Sequence, residues 1–262
     1  MDPSSVEKAA GTLLGAYGSR TPVPPLTASD PDLSLDDAYA IQLAQVAAWT
    51  AAGATVKGHK VGLTSAAMQR QLGVNQPDFG HLMSTMFLPE GQVAPIGEFL
   101  QPKAEPEIAF VLGRPLAGPG VTVAEALAAV DFVLPALEII DSRIADWKIT
   151  LPDTVADNAS SGAVVLGGRP VRPEALDLSL TGSLLWRNGR LEGTGAGGAV
   201  LGSPVNALVW LANTLGARGA ALEAGHVILP GSVCAAIPFG AGDTVTAAFD
   251  RIGSVSITFS EK

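Results

Sequence analysis

Apolar residues in the first fifth of the chain recur at helical spacing. Residues 4–17 and 34–52 read as helices. In the second, Leu35, Ala38, Ile41, Leu43, Val46 and Trp49 give approximate helical spacing, Ser34 with Asp37 three residues on is a start signal, and Gly53 a stop. Between them Thr21 to Asp32, rich in proline and small polar residues, reads as a connection. From Ala54 the pattern changes to strand, cap and short helix: 54–63, Thr64-Ser65, then 66–72 closed by Gly73. After that it is mainly β, with strands expected at 105–112, 132–140, 163–166, 184–187, 190–192, 227–228, 245–249 and 254–259. Asn188-Gly189 marks a hairpin turn. Helices at 122–130 and 204–215 interrupt the strands, the second with Ser203 as N-cap, Pro204 at its first position and Gly216 after its end. The expectation is an α+β fold, with a helical N-terminal region over 1–53 and a β-rich core over 54–262 that carries the chemistry.

Composition narrows the function. At 262 residues, 47% hydrophobic and 16% charged, the chain has the makeup of a folded protein with a large core. A net charge of −9 repels phosphate backbones and anionic membranes, which disfavours nucleic acid as a partner. A small acidic substrate needs a local cation to overcome that field. The single cysteine, Cys234, excludes a disulfide framework and any multi-cysteine metal site, and is expected to be buried. The N-terminus lacks the basic and apolar segments of a signal peptide, and no apolar run approaches the roughly 18 residues of a membrane span. A cytoplasmic protein is expected.

The chemistry-bearing residues begin with Glu105 and Glu107, two apart in an apolar strand and so on one face. Glu138 lies in another apolar run, where an uncompensated carboxylate is costly. Three carboxylates without a nearby histidine or thiol make a hard oxygen site suited to Mg²⁺ or Mn²⁺. Spacing alone leaves a second reading open, in which Glu105 and Glu107 start an exposed edge strand and Glu138 pairs with Arg143 or a lysine. Lys60, in an apolar, Gly-flanked strand, is either a desolvated acid or base with a lowered pKa or a surface lysine. Asp78 is either a turn former or a loop carboxylate acting on water. The polar run from Asp153 to Gly162 caps a turn or binds a substrate carboxylate. Asp141, Arg143, Asp146 and Trp147 read as a structural ion-pair network. Gly193 to Gly198 match G-x-G-x-x-G, but a hairpin arm precedes them and no βαβ unit follows, which argues against a dinucleotide site. His59, His81 and His226 are scattered and read as structural or surface residues.

Several motifs recur together: His59-Lys60-Val61-Gly62-Leu63-Thr64-Ser65, Gln76-Pro77-Asp78-Phe79-Gly80, Ala104-Glu105-Pro106-Glu107-Ile108, Glu138-Ile139-Ile140-Asp141-Ser142-Arg143, Asp146-Trp147-Lys148-Ile149, Asp153 to Ser161, and Gly202-Ser203-Pro204-Val205-Asn206. From about Leu35 to Phe259 the chain resembles the fumarylacetoacetate hydrolase superfamily, and within it the 2-hydroxydienoate hydratases. The resemblance implies a mixed, rolled β-sheet core with a helical N-terminal part and a homo-oligomer, with decamers among relatives. It implies Glu105, Glu107 and Glu138 as ligands of Mg²⁺ or Mn²⁺, Lys60 and Asp78 as proton-transfer groups, and Ser160, Phe79 and Leu63 at the substrate. The implied reaction is hydration of 2-hydroxypenta-2,4-dienoate to 4-hydroxy-2-oxopentanoate in aromatic or sterol ring catabolism. Alternatives are a decarboxylase of 2-oxo-hex-3-enedioate, a hydratase of a longer 2-oxo-dioate, or a non-catalytic subunit associated with such a decarboxylase. Two departures from the family pattern are Pro106 and the segment Leu229-Pro230-Gly231-Ser232.

Overall fold

In the computed structural model, described for residues 1–261 without the side chains of Met68, Gln71 and Leu72, the N-terminal part is three helices, α1 Pro3–Ser19, α2 Leu26–Ser29 and α3 Leu35–Ala51. Asp2 caps α1 by accepting the Ser5 N–H, and Ser34 caps α3 by accepting that of Asp37. The short α2 interrupts what reads in sequence as a plain connection. Leu13 of α1 and Ile41 of α3 are fully buried in the same core as Phe110 and Ile139 of the strands, so the helical region is packed onto the β region. Among the described residues no helix is long and apolar enough to cross a membrane.

Among the described residues the rest of the chain forms thirteen strands: β1 Val56–Gly62, β2 Asp78–Met83, β3 Phe87–Leu88, β4 Val93–Ala94, β5 Lys103–Leu112, β6 Val130–Ile140, β7 Ser161–Leu166, β8 Gly182–Arg187, β9 Arg190–Ala196, β10 Val227–Leu229, β11 Ile237–Pro238, β12 Thr244–Phe249 and β13 Gly253–Phe259. Four helices interrupt them: α4 Ala66–Leu72, α5 Val123–Ala129, α6 Leu151–Ala156 and α7 Pro204–Gly216. The larger sheet runs β2-β1-β10-β5-β6-β7-β3, with β11 also on β5; the smaller runs β4-β13-β12-β8-β9. The larger sheet is mixed, since β1–β10 and β3–β7 are parallel and the other pairs antiparallel. It curls until β2 near one edge touches β7 near the other.

Curling gives the sheet two unlike faces. The outer face, with Val61, Phe79, Ile108 and Leu137, packs against the helices and the smaller sheet. The inner face is enclosed by the strands themselves, and Leu82, Ala109, Leu134, Ala136, Val164 and Leu229 fill one end of it with a small apolar plug. The other end holds the carboxylates.

The structure departs from three of these expectations. Asp78 begins a strand opposite Gly62 and is 2% exposed, so it is neither a turn former nor a loop residue. The Pro-Asp-Phe-Gly sequence hides a strand whose pairing partner, β1, supplies the order. The exposed-edge reading of Glu105 and Glu107 fails because β5 lies inside the sheet, between β6 and the β10/β11 side. Pro106 is tolerated there because β10 pairs only with residues 110–111 and β11 only with 103–104, so the missing N–H falls in the gap between them. Cys234, expected to be buried, is half-exposed. Gly195 of the G-x-G-x-x-G match lies within β9, where a Cβ would stand 1.9 Å from the Val233 carbonyl; the glycine serves close packing.

Candidate metal centre

Strand alternation builds the site. Glu105 and Glu107 leave β5 on the inner face, and Glu138 of β6 stands directly opposite Glu105. One carboxylate oxygen from each of the three lies within 4.8 Å of the others. Glu107 and Glu138 are fully buried. Gly231 N–H donates to Glu107 Oε2 at 2.7 Å, but Glu107 Oε1 and both Glu138 oxygens accept no hydrogen bond. Burial, and then the Glu138 charge, push Glu105 up to about 7; burial and both neighbouring carboxylates hold Glu107 well above the usual range. Burial also raises Glu138, with Lys60 opposing it.

Orphaned, mutually repelling oxygens in one buried cluster fit a hard divalent cation, which satisfies lone pairs and charge together. The Leu229-Pro230-Gly231-Ser232 segment, a departure from the family pattern, has a structural reason at Gly231. Gly231 has φ +119°, and a Cβ on it would stand 2.0 Å from Thr64 Oγ1. Only glycine brings that amide to Glu107 without displacing Thr64.

Lys60, opposite Leu229 on β1, enters the same end of the inner face. Its ammonium donates to the Ala159 carbonyl at 2.9 Å and lies 3.4 Å from Glu138 Oε1. Burial disfavours its charge, but Glu138, Asp78, Glu105 and Glu107 outweigh that and raise the pKa, the reverse of the lowered value expected from desolvation alone. Burial raises Asp78 as well, against Lys60. A Cβ on Gly62 would stand 2.1 Å from Asp78 Oδ1 and 3.5 Å from Lys60 Nζ, so both groups crowd over that glycine.

The carbonyl that holds Lys60 belongs to an unusual turn. Asn158, Ala159 and Ser160 are three consecutive left-handed residues, with φ of 53°, 51° and 53°. Each costs about 1 kcal/mol or more outside glycine, so the surroundings must over-determine the turn. Asn158 does so by clamping the His81 backbone, accepting its N–H at 2.8 Å and donating to its carbonyl at 2.9 Å. No sequence pattern announces this turn. Its nearest signal is the dense polar run from Asp153.

That run divides its labour. Asp153 closes a capping box with Thr150 and accepts from Thr27, tying α2 to α6. Asp157 takes the buried Arg143 guanidinium at 2.6 Å. The Ser160 hydroxyl lies 3.4 Å from Asp157 Oδ2 and 3.3 Å from Thr154 Oγ1. Arg143 also reaches Asp141 at 4.0 Å, but Asp146 pairs with the exposed Lys148 and Trp147 packs under Lys103, so the four residues read as one network separate. Leu63, half-buried with φ 56°, follows Gly62 beside the cluster.

Phe79 requires a correction. One residue after Asp78, its side chain points to the outer face and stacks on Tyr39 with ring centroids 4.6 Å apart, away from the carboxylates. The histidines gather on that face too: His59 lies 4.8 Å from His81 and 5.8 Å from His226, ring to ring. The strand period that sends Lys60 inward sends His59 outward.

Comparison with known proteins follows the same lines. The family described as fumarylacetoacetate (FAA) hydrolase C-terminal matches residues 52–260. A 2-keto-4-pentenoate hydratase of Paraburkholderia xenovorans (strain LB400) is 48% identical over 259 residues, 99% of this chain and 96% of that protein. A 2-hydroxypent-2,4-dienoate hydratase of Pseudomonas putida is 50% identical over 222 residues, 84% of this chain and 100% of its own length. Among solved structures, 4-oxalocrotonate decarboxylase from Pseudomonas putida G7, complexed with magnesium and adipate, superposes with a TM-score of 0.96 at 36% identity, covering 99% of this chain and 98% of that one.

Proposed function

The chain belongs to the fumarylacetoacetate hydrolase family, and on that premise we propose that it is a hydro-lyase of the 2-keto-4-pentenoate hydratase type, adding water to 2-hydroxypenta-2,4-dienoate to give 4-hydroxy-2-oxopentanoate. The observation that carries this reading is the cluster of three carboxylates, with unpartnered oxygens on the buried Glu107 and Glu138 and with Lys60 and Asp78 beside it. The identity to named hydratases, 48% against 36% for the decarboxylase structure, favours hydration over decarboxylation.

Glu105, Glu107 and Glu138 would hold Mg²⁺ or Mn²⁺. A bound divalent ion supplies Lewis-acid polarisation of the substrate's 2-oxygen and carboxylate. The chain's own residues account for the protons. The reaction needs one proton delivered to C5, a hydroxyl added at C4 with a proton at C3, and the 2-hydroxyl proton removed, so that one water is taken up overall. Lys60 and Asp78 are the titratable pair that can hold and move these protons, one as donor and the other as acceptor. The Ala159 carbonyl orients Lys60 for that task. Gly62, lacking a Cβ, leaves room for both groups to sit over it, and the Gly231 amide holds one oxygen of Glu107 so that the other stays free.

The test is turnover of the dienoate with Mg²⁺ or Mn²⁺, followed by loss of its ultraviolet absorbance, beside a parallel assay of CO₂ release from 2-oxo-hex-3-enedioate. Hydration of the first with no CO₂ from the second is expected. CO₂ as the main product would reassign the chain as a decarboxylase, and activity unaffected by exhaustive chelation would remove the metal.

A further inference from the structure

Exposure along β5 shows where this site opens. Glu107 is fully buried, whereas Glu105 and Lys103, successive residues on the same face, are half-exposed. In register, Lys103 stands opposite Ile140, which stands opposite Ser161, forming the row beyond the Glu105–Glu138 row and lying at the same end of the sheet as the 158–160 turn. A molecule entering toward the carboxylates meets this row first.

Charge makes Lys103 more than a rim residue. Glu105, Glu107, Glu138 and Asp78 with Lys60 leave three formal negative charges, and a divalent ion cancels two. An anionic acid would still approach a negative site. Glu105 has two cationic neighbours, Lys60 and Lys103. Lys60 is committed to Ala159 and Glu138. Among the described residues Lys103 forms no ion pair; its ammonium rests 4.1 Å above the centre of the Trp147 ring. A cation–π contact orients an ammonium and leaves its charge available to an anion. The ring is itself fixed, since Trp147 Nε1 donates to the Gln101 carbonyl at 3.1 Å.

We propose that Lys103, held by Trp147 at the open end of the carboxylate cluster, pairs with the carboxylate of the 2-oxo acid and selects for it, without taking part in proton transfer. This rests on the reading of the site as a metal centre for such acids. The remaining negative charge is neutralised only when Lys103 is counted, and its position two residues from Glu105, about 7 Å along the strand, lets its stem reach a ligand chelated beside that carboxylate.

The experiment uses Lys103→Met and Lys103→Arg in the full chain. Mn²⁺ binding is measured first by calorimetry, then oxalate is titrated into the Mn²⁺-loaded protein as an unreactive probe. Lys103→Met should weaken oxalate binding by about tenfold or more, leave Mn²⁺ affinity unchanged or tighter, and raise KM for the dienoate with kcat within about threefold. Lys103→Arg should restore oxalate affinity. Oxalate binding as tight as wild type in Lys103→Met overturns the proposal, and so does a loss of Mn²⁺ affinity, which would make Lys103 a support of the metal ligands. Should the protein fail to turn over the dienoate while Lys103→Met still loses oxalate, the hydratase reading falls and the role of Lys103 stands.

Discussion

The antiparallel β1–β2 pair carries Lys60, Gly62, Asp78 and Gly80 on one face and His59, Val61, Phe79 and His81 on the other, each set one residue out of step with its opposite. The outward set is ordinary core: Phe79 stacks on Tyr39, and Gln42 reaches over to donate to the Phe79 carbonyl and meet His81 Nδ1 at 2.9 Å. The inward set faces the carboxylates, of which Glu107 Oε1 and both Glu138 oxygens accept no hydrogen bond and which repel one another. One element thus stabilises the fold through one side and carries unfavourable electrostatics on the other. The contrast teaches that polar substitutions on the inner face and apolar truncations on the outer face should have opposite effects on stability and on ligand binding.

Glu107→Gln breaks the comparison at its most sensitive point. Turnover and Mn²⁺ affinity should each fall by about 10³-fold or more, while the metal-free protein gains thermal stability because a buried carboxylate becomes a neutral amide. Calorimetry and a melting curve on one preparation check both; a destabilised variant would mean that the carboxylate is needed for packing. Phe79→Ala is the mirror experiment. It should cost about 3–5 kcal/mol in chemical unfolding and leave Mn²⁺ affinity within about threefold. A large loss of metal affinity in the folded variant would show that the two faces are not separable.

The histidine face gives the next effect in size. Burial lowers His81 from 6.5 to about 4, and holds His59 well below 6.5, with the His81 and His226 charges adding to it. Unfolded imidazoles take up protons near 6.5 and the buried ones do not, so the unfolded chain binds more protons between those values. Stability is therefore full above about pH 6.5 and declines as the pH falls toward 4, by roughly 3 kcal/mol for His81. His81→Gln should flatten that part of the difference from wild type in unfolding titrations, and parallel curves would count against it. Smallest is Gly231→Ala, whose Cβ displaces the amide from Glu107. Mn²⁺ binding should weaken by about 10- to 100-fold, the range for groups that orient a metal ligand. Unchanged affinity would show that Glu107 needs no such support.

Much of this could be read along the chain. The helices over α1 and α3, the Ser34 and Ser203 starts and the Asn188-Gly189 turn are local signals, and local sterics decide them; which face of α3 is buried is not, since Leu43 is exposed and Gln42 and Gln45 are buried. The same holds for the shared face of Glu105 and Glu107, which follows from strand period alone. The strand β2 could not be read, because Pro77, Asp78 and Gly80 are poor strand formers and their order comes from pairing with β1. The direction of Phe79 could not be read either, because membership in a motif says nothing about direction, whereas alternation after an inward Asp78 turns it outward.

The residue types, the period-2 spacing within β5 and the helix caps were determined by sequence, since each depends on interactions within a few residues. Tertiary structure alone decided that Glu138 stands opposite Glu105, that Gly231 offers its amide to Glu107, that the left-handed 158–160 turn receives Lys60, and that Lys60 is raised in pKa and not lowered. Those depend on register and curl, which bring residues 99 and 124 positions apart to within hydrogen-bonding distance. Electrostatic energy is set by that distance and by burial, neither of which is written in the local pattern.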